Sequence, residues 1–418
     1  MNIKAAILYL TLHSCVVCAN ENWPDFRGPF ETGCSDSKGL PVKWSEQENI
    51  KWKTAIHDHG WSSPVIWGDQ IWLTTAHEKG YKMYAVCVDL QTGKIVHDVN
   101  VFEQQNPQRI NRLNSYATPS PVIEQGRVYI HFGTFGTACL DTKTAQILWK
   151  RTDLNCEHMQ GPVSSPVLFE DLLILHIEGT DVQFIVALNK TTGQTIWRVD
   201  RPQQWYANVL PVYRKAFLTP IIVEMAGKWQ MISNGAQSCH SYDPRTGKEF
   251  WRVWYGDDST ISRPIAGRGL VFINTGLSKP KLWAVKPDGQ GDVSATHVVW
   301  RVEDKVPGES SAVIVDDLIY MVDDKGTATC LESETGKVIW QQRLDGSYGA
   351  SPVYVDGRVY FFNKDGKTTV VKQGRVFEIL ATNQLEAGFG ASPAILGNSF
   401  ILRTRTHLYR VEDVNKSR

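Results

Sequence analysis

Few residues of this chain are spaced for chemistry. Asp257-Asp258 and Asp323-Asp324 are paired carboxylates of the kind that can hold calcium, although solvated turns carry the same pairs and are the expectation here. Gly291-Asp292 with His297 could present a base, but the pattern reads better as a capped turn. The chain has no H-E-x-x-H, no C-x-x-C-H, no G-x-S-x-G and no G-x-x-x-x-G-K-[ST]. The expectation is therefore no catalytic residue and no metal site. What remains is a set of aromatic and charged residues just before short apolar runs: Trp61, Tyr116, His158, Tyr206, Arg263, Glu309, Tyr348 and Phe389. Gathered at one mouth, such side chains would hold a small ligand by stacking and hydrogen bonding. Replacing Trp61, Arg263 and Tyr348 together is then expected to abolish ligand binding with little change in thermal stability.

The runs that must position these residues repeat. A Ser-Pro-Val phrase recurs as Ser63-Pro64-Val65, Ser120-Pro121-Val122, Ser165-Pro166-Val167, Thr219-Pro220-Ile221, Arg263-Pro264-Ile265, Ser311-Ala312-Val313, Ser351-Pro352-Val353 and Ser392-Pro393-Ala394, at intervals of 40 to 57 residues. Between these phrases runs a second one, Asp, then Thr-Gly, then Trp, as in Asp243 to Trp251. Each unit decodes as four short strands, with the Thr-Gly hairpin joining the third to the fourth. Repeated four-stranded units of this length make a β-propeller. The expected fold is all-β, with eight four-stranded antiparallel blades. The last unit supplies only three strands, so the strand around Trp52 should complete it and close the ring.

The 15 tryptophans and eight cysteines fall largely into this scheme. Trp52, Trp149, Trp197, Trp251, Trp300 and Trp340 share one position on the fourth strand, which reads as docking between blades. Trp61 and Trp205 lie before an inner strand and are weighed between ligand contact and packing. Cys87, Cys139 and Cys330 also share one position, too far apart in a ring to be bridged, and read as buried free thiols. Pairing among Cys34, Cys156 and Cys239 stays open.

Residues 1–19, with Lys4 before an apolar run and Val17-Cys18-Ala19 at its end, read as a secretory leader. A lipid anchor on Cys15 or Cys18 is the alternative. Residues 20–47 read as an N-terminal extension, 48–412 as the propeller and 413–418 as a tail. The chain has 44 basic and 44 acidic residues, which argues against a nucleic-acid partner. No run is long enough for a transmembrane segment.

The Ser-Pro-Val, Asp-x-x-Thr-Gly and Trp phrases resemble the pyrroloquinoline-quinone (PQQ) repeat. Trp23-Pro24-Asp25-Phe26-Arg27-Gly28-Pro29, Gly39-Leu40-Pro41 and Gly60-Trp61-Ser62-Ser63-Pro64 are similar to segments of exported PQQ-binding-like propeller proteins of the BamB type. That resemblance implies a periplasmic or cell-envelope protein that binds a partner protein, a small ligand or a glycan at a propeller face. It also implies two alternatives to a non-catalytic, monomeric scaffold with no cofactor: a PQQ- and calcium-dependent alcohol or sugar dehydrogenase, and a glycan-binding accessory protein. The adjacent cysteines common in the alcohol-oxidising relatives are absent.

Overall fold

A computed structural model describes residues 22–258 and 260–413. The expected leader, both candidate lipidation cysteines and residues 414–418 lie outside the described residues. Eight sheets surround one axis, each built on four antiparallel strands. Blade 3 is representative: Val167–Phe169 is innermost, followed outward by Leu172–Glu178, Gln183–Asn189 and Thr195–Asp200. Its two middle strands are buried along nearly their whole length because neighbouring blades cover both faces, so they read as continuous apolar runs. The outermost strand alternates between half-buried and exposed, which is why its sequence alternates too.

The ring closes as the three-strand count required. Ile50–Ala55 pairs with His407–Val411 and becomes the outer strand of blade 8, Trp52 opposite Arg410. Three sheets gain a fifth strand that the repeat does not foretell. Asn22–Trp23 adds to the inner edge of blade 1, Cys34–Ser35 adds in parallel to the inner edge of blade 7, and Gly291–Asp292 adds in parallel to the outer edge of blade 4. The capped turn expected at Gly291-Asp292 is thus also an edge strand, with the Asp292 carboxylate accepting from Ser294.

Neighbouring blades are tied by one recurring device. The indole N–H of Trp52, Trp149, Trp197, Trp251, Trp300 and Trp340 donates to Leu90, Lys190, Pro244, Pro287, Ser333 and Gly374, each a carbonyl in the next blade. The Thr-Gly hairpin is shaped by that contact. Gly193 sits at φ 71°, and a Cβ there would lie 2.8 Å from the Trp149 ring, so only glycine serves both the turn and the close approach. Two seams lack the tryptophan. Between blades 1 and 2, His97 stands at the position and Gln70 donates instead to Thr142 at 2.7 Å. Between blades 7 and 8, Ala381 stands there, and Trp44 from the N-terminal extension packs 6.2 Å from Tyr360 and 5.6 Å from Phe400.

All six described cysteines are free, so none of the pairings left open for Cys34, Cys156 and Cys239 forms among them. Burial pushes the Cys87, Cys139 and Cys330 thiols up, as it must for a thiolate that would lose its water.

Candidate functional site

The inner strands approach the axis with a two-residue pleat, and that pleat sets what faces the channel. The first residue of each phrase does so at Ser63, Ser120, Ser165, Thr219, Ser311, Ser351 and Ser392. The residue two earlier does so at Trp61, Thr118, Val163, Phe217, Ile261, Glu309, Gly349 and Gly390. Together with Phe26 and loop residues they enclose an axial cavity of about 660 Å³.

The serine layer is internally bonded. The backbone N–H of Ser63 donates to the Ser120 hydroxyl at 2.8 Å, and the relation passes from blade to blade through Ser165, Thr219, Ser311, Ser351 and Ser392 and back to Ser63. The sequence breaks this circuit once. Arg263 has no hydroxyl, so Thr219 lacks that acceptor, while the Arg263 N–H still donates to Ser311.

Below this layer the N-terminal segment crosses the channel. Phe26 reaches the cavity, and Arg27 beside it is buried and donates to the carbonyls of Thr32, Ala312 and Pro352. Arg263 points to the same segment, 3.0 Å from Asp25 and 2.7 Å from Glu31. Residues 22–35 therefore plug one end of the ring.

The other end is open and polar. Trp61 lies against His59 at 4.6 Å, with the Arg405 guanidinium 5.8 Å from its ring centre. Glu309 pairs with Lys364 at 2.7 Å, and Asp324 accepts from the backbone N–H groups of Gly308 and Glu309. Burial raises the Asp324 carboxyl and lowers His59, with Arg403 and Arg405 adding to the second effect.

Of the residues singled out by sequence, Trp61, Glu309 and Phe389 reach the cavity wall. Tyr116, His158, Tyr206, Arg263 and Tyr348 do not line it; all five are buried. Tyr348 stands three residues before its serine, on the opposite side of the pleat from Glu309. Tyr116 turns its hydroxyl to the Gln108 carbonyl, His158 accepts from the Thr134 N–H, and Arg263 is committed to the plug. The triple substitution at Trp61, Arg263 and Tyr348 would consequently damage the core, and the clean ligand probe is Trp61 alone. Trp205, the other tryptophan in question, stacks on His240 and meets Trp254 edge-on away from the wall. Four of the residues missed, Thr118, Val163, Phe217 and Ile261, follow from counting two positions back from each phrase, and the serine layer from the phrase itself.

Three long connections meet beside the mouth and form its rim there. Asn111 and Asn114 of the first bond to Gln160 of the second, and Lys215 of the third donates to the His158 carbonyl. Leu113, Met159, Leu210 and Tyr213 project from these connections into solvent. Lys215 is fully buried, and burial lowers its amine to about 7. A lysine with a folded pKa below its unfolded value binds fewer protons in the fold, so its contribution makes stability rise with pH from about 7 toward 10.5. Lys215→Met should abolish that rise: urea unfolding at pH 7 and pH 9.5 should show wild type gaining on the variant. An unchanged difference would mean that Lys215 is as hydrated as in the unfolded chain.

The carboxylate pairs offered as calcium candidates are in use. Asp257 accepts from Thr275 and Lys281, Asp258 from Leu277 and Ser278, and Asp323 from two backbone N–H groups of its own turn. Among the described residues no three His, Cys, Asp or Glu side chains converge.

A family model described as the outer membrane protein assembly factor BamB matches residues 36–177, 181–292 and 289–376. The chain belongs to this BamB family. BamB of Yersinia pestis is 24% identical over 198 residues, 45% of this chain and 49% of that protein. Tetrathionate hydrolase of Acidithiobacillus ferrooxidans is 22% identical over 274 residues, 57% of this chain and 50% of that protein. The chain spans about half the length of these curated relatives. Among solved structures, BamB from Moraxella catarrhalis superposes with a TM-score of 0.61 at 12% identity, over 86% of this chain and 99% of that one. Quinohemoprotein alcohol dehydrogenase from Comamonas testosteroni gives 0.67 at 12% identity, over 95% and 81%. At such identities the BamB-family chain shares a fold with both.

Proposed function

We propose that this protein is a non-catalytic binding propeller of the cell envelope, with a partner protein on the rim and a small ligand in the axial cavity. The observation that carries the reading is the state of the cavity wall. Glu309 is paired with Lys364, Asp324 accepts from backbone donors and His59 lies edge-on to Trp61, so the wall offers stacking and hydrogen bonding. The exposed apolar side chains on the three tied connections supply a face for another protein. The BamB relatives, named as outer membrane protein assembly factors, support an envelope setting. Among the described residues no helix is long and apolar enough to cross a membrane.

Capture from a native envelope extract tests the partner. Wild type should enrich a protein that the Leu113→Ser/Leu210→Ser/Tyr213→Ser variant fails to enrich, both being equally stable. Equal capture by the two would remove the rim from the reading. Incubation with PQQ and calcium tests the dehydrogenase alternative: reduction of a dye with an alcohol or aldose would sink the non-catalytic reading. The glycan-binding alternative rests on Trp61, half-exposed beside His59. Trp61→Ala should weaken binding of any saccharide that wild type retains on an affinity column by about tenfold or more, equivalent to a stacking loss of about 1.4 kcal/mol.

A further inference from the structure

We infer that the propeller axis holds an oxyanion, seated in the collar of seven hydroxyls formed by Ser63, Ser120, Ser165, Thr219, Ser311, Ser351 and Ser392. This deepens the ligand half of the proposed function and rests on the cavity being a binding site. All seven side chains line the cavity and are at least nine-tenths buried. Each hydroxyl oxygen accepts a backbone N–H from the adjoining blade, at 2.8 to 3.0 Å. None of the seven donates to a protein acceptor among the described residues, so seven O–H donors remain for whatever occupies the axis. An oxygen that already accepts an N–H is a better donor, because hydrogen bonds in series polarise one another.

The charges around the collar are independent of it and point the same way. The Arg27 guanidinium, beneath the collar, donates only to carbonyl oxygens, while its backbone N–H donates to Asp25, and its buried Nε has no acceptor. Arg403, behind the collar, donates to the carbonyl and hydroxyl of Ser62, and again to no carboxylate. Burial lowers Arg27 to about 10, with Arg263 adding to the effect and Asp25 opposing it, and burial alone lowers Arg403 to about 9. Arg405 reaches the upper wall over Trp61. No carboxylate belongs to the serine layer, and Glu309, two residues before Ser311, is paired with Lys364, so an oxyanion in the collar meets O–H donors with the Arg27 and Arg403 guanidiniums close behind. The ligand class is a tetrahedral or planar oxyanion: a free sulfate or phosphate, or the sulfate, phosphate or carboxylate group of a larger molecule whose body fills the space beside Trp61.

Selenate, a sulfate analogue with anomalous scattering, is the direct probe. A crystal soaked in it should show an anomalous peak on the axis within hydrogen-bond reach of the collar. In solution, inorganic sulfate at constant ionic strength should raise the melting temperature saturably. Ser311→Ala/Ser351→Ala should weaken that binding at least tenfold, while Ser311→Thr/Ser351→Thr, which keeps both donors, should stay within threefold. A sulfated oligosaccharide that displaces selenate more tightly than sulfate would assign the site to an anionic group of a larger ligand; displacement only at matching concentration would assign it to the free ion. An axis occupied by water alone, or an alanine pair that binds like wild type, would overturn the inference. Partner capture through the rim would be untouched by that failure, and loss of capture would leave the collar standing.

Discussion

An Arg263→Ala variant is expected to lose about 3–5 kcal/mol of unfolding free energy, the usual result of removing one member of a buried ion pair. Arg263 is nearly inaccessible, forks onto Asp25 and Glu31, and also donates to the Pro220 carbonyl. Alanine leaves two carboxylates beneath the ring without their cation. Burial already raises the Glu31 carboxyl to about 7, against the pull of Arg263. Removing Arg263 raises it further. A carboxyl with a folded pKa above its unfolded value binds more protons in the fold, so its contribution makes stability fall as pH rises from about 4.5 through the folded value. The deficit of the variant should consequently be larger at pH 8 than at pH 5, as measured by urea unfolding. A loss under about 1 kcal/mol at both values would place the pair with ordinary surface pairs.

The second large effect is expected at Trp251, the fully buried member of the docking set. Its ring sits among Ile221, Ile232, Val253, Val271 and Ile273, between blades 4 and 5. Its N–H donates to the Gln230 amide oxygen at 2.9 Å and the Pro287 carbonyl at 3.1 Å. Trp251→Ala removes the apolar contact and leaves a cavity in a two-sided interface, at about 3–5 kcal/mol. Trp251→Phe keeps most of the volume and gives up the hydrogen bonds, at about 1–2 kcal/mol. Denaturant unfolding should therefore rank alanine well below phenylalanine. Equal losses would mean that the hydrogen bonds, rather than the filled volume, dock these blades.

The architecture could be read from the chain because repeats expose it. Each blade restates the same phrase, so the position of Trp149 explains that of Trp52, and the strand missing from blade 8 is found at the other end of the sequence. The site was less readable because it depends on which side of a pleat a residue falls. Trp61 and Glu309 stand two residues before the phrase and face the axis; Tyr348 and Phe389 both stand three before it, yet Tyr348 faces the core while Phe389 still touches the wall. Hydrophobic character does not separate the two. Arg263 was hidden for another reason. Its partner Asp25 lies 238 residues away, and nothing local says that a charge beside an inner strand will be spent on the N-terminal segment. Trp44 is a similar case, an unrepeated residue filling a place that the repeat leaves to Ala381.

Closing the ring with Ile50–Ala55 also fixes an order in time. The strand is made early, and its partner His407–Val411 is among the last described parts of the chain. For the whole of synthesis between those points its edge is unpaired, and the blade it belongs to does not exist. Pairing so distant in sequence is slow to form, and an open strand in that interval can join the wrong neighbour. Lys51 and Lys53 lie on this strand, and charged side chains on an edge discourage such pairing. Once the ring is shut, Lys51 pairs with Glu412 and Lys53 with Glu46 and Glu386. The charges that keep the nascent strand apart are the ones that later fasten it.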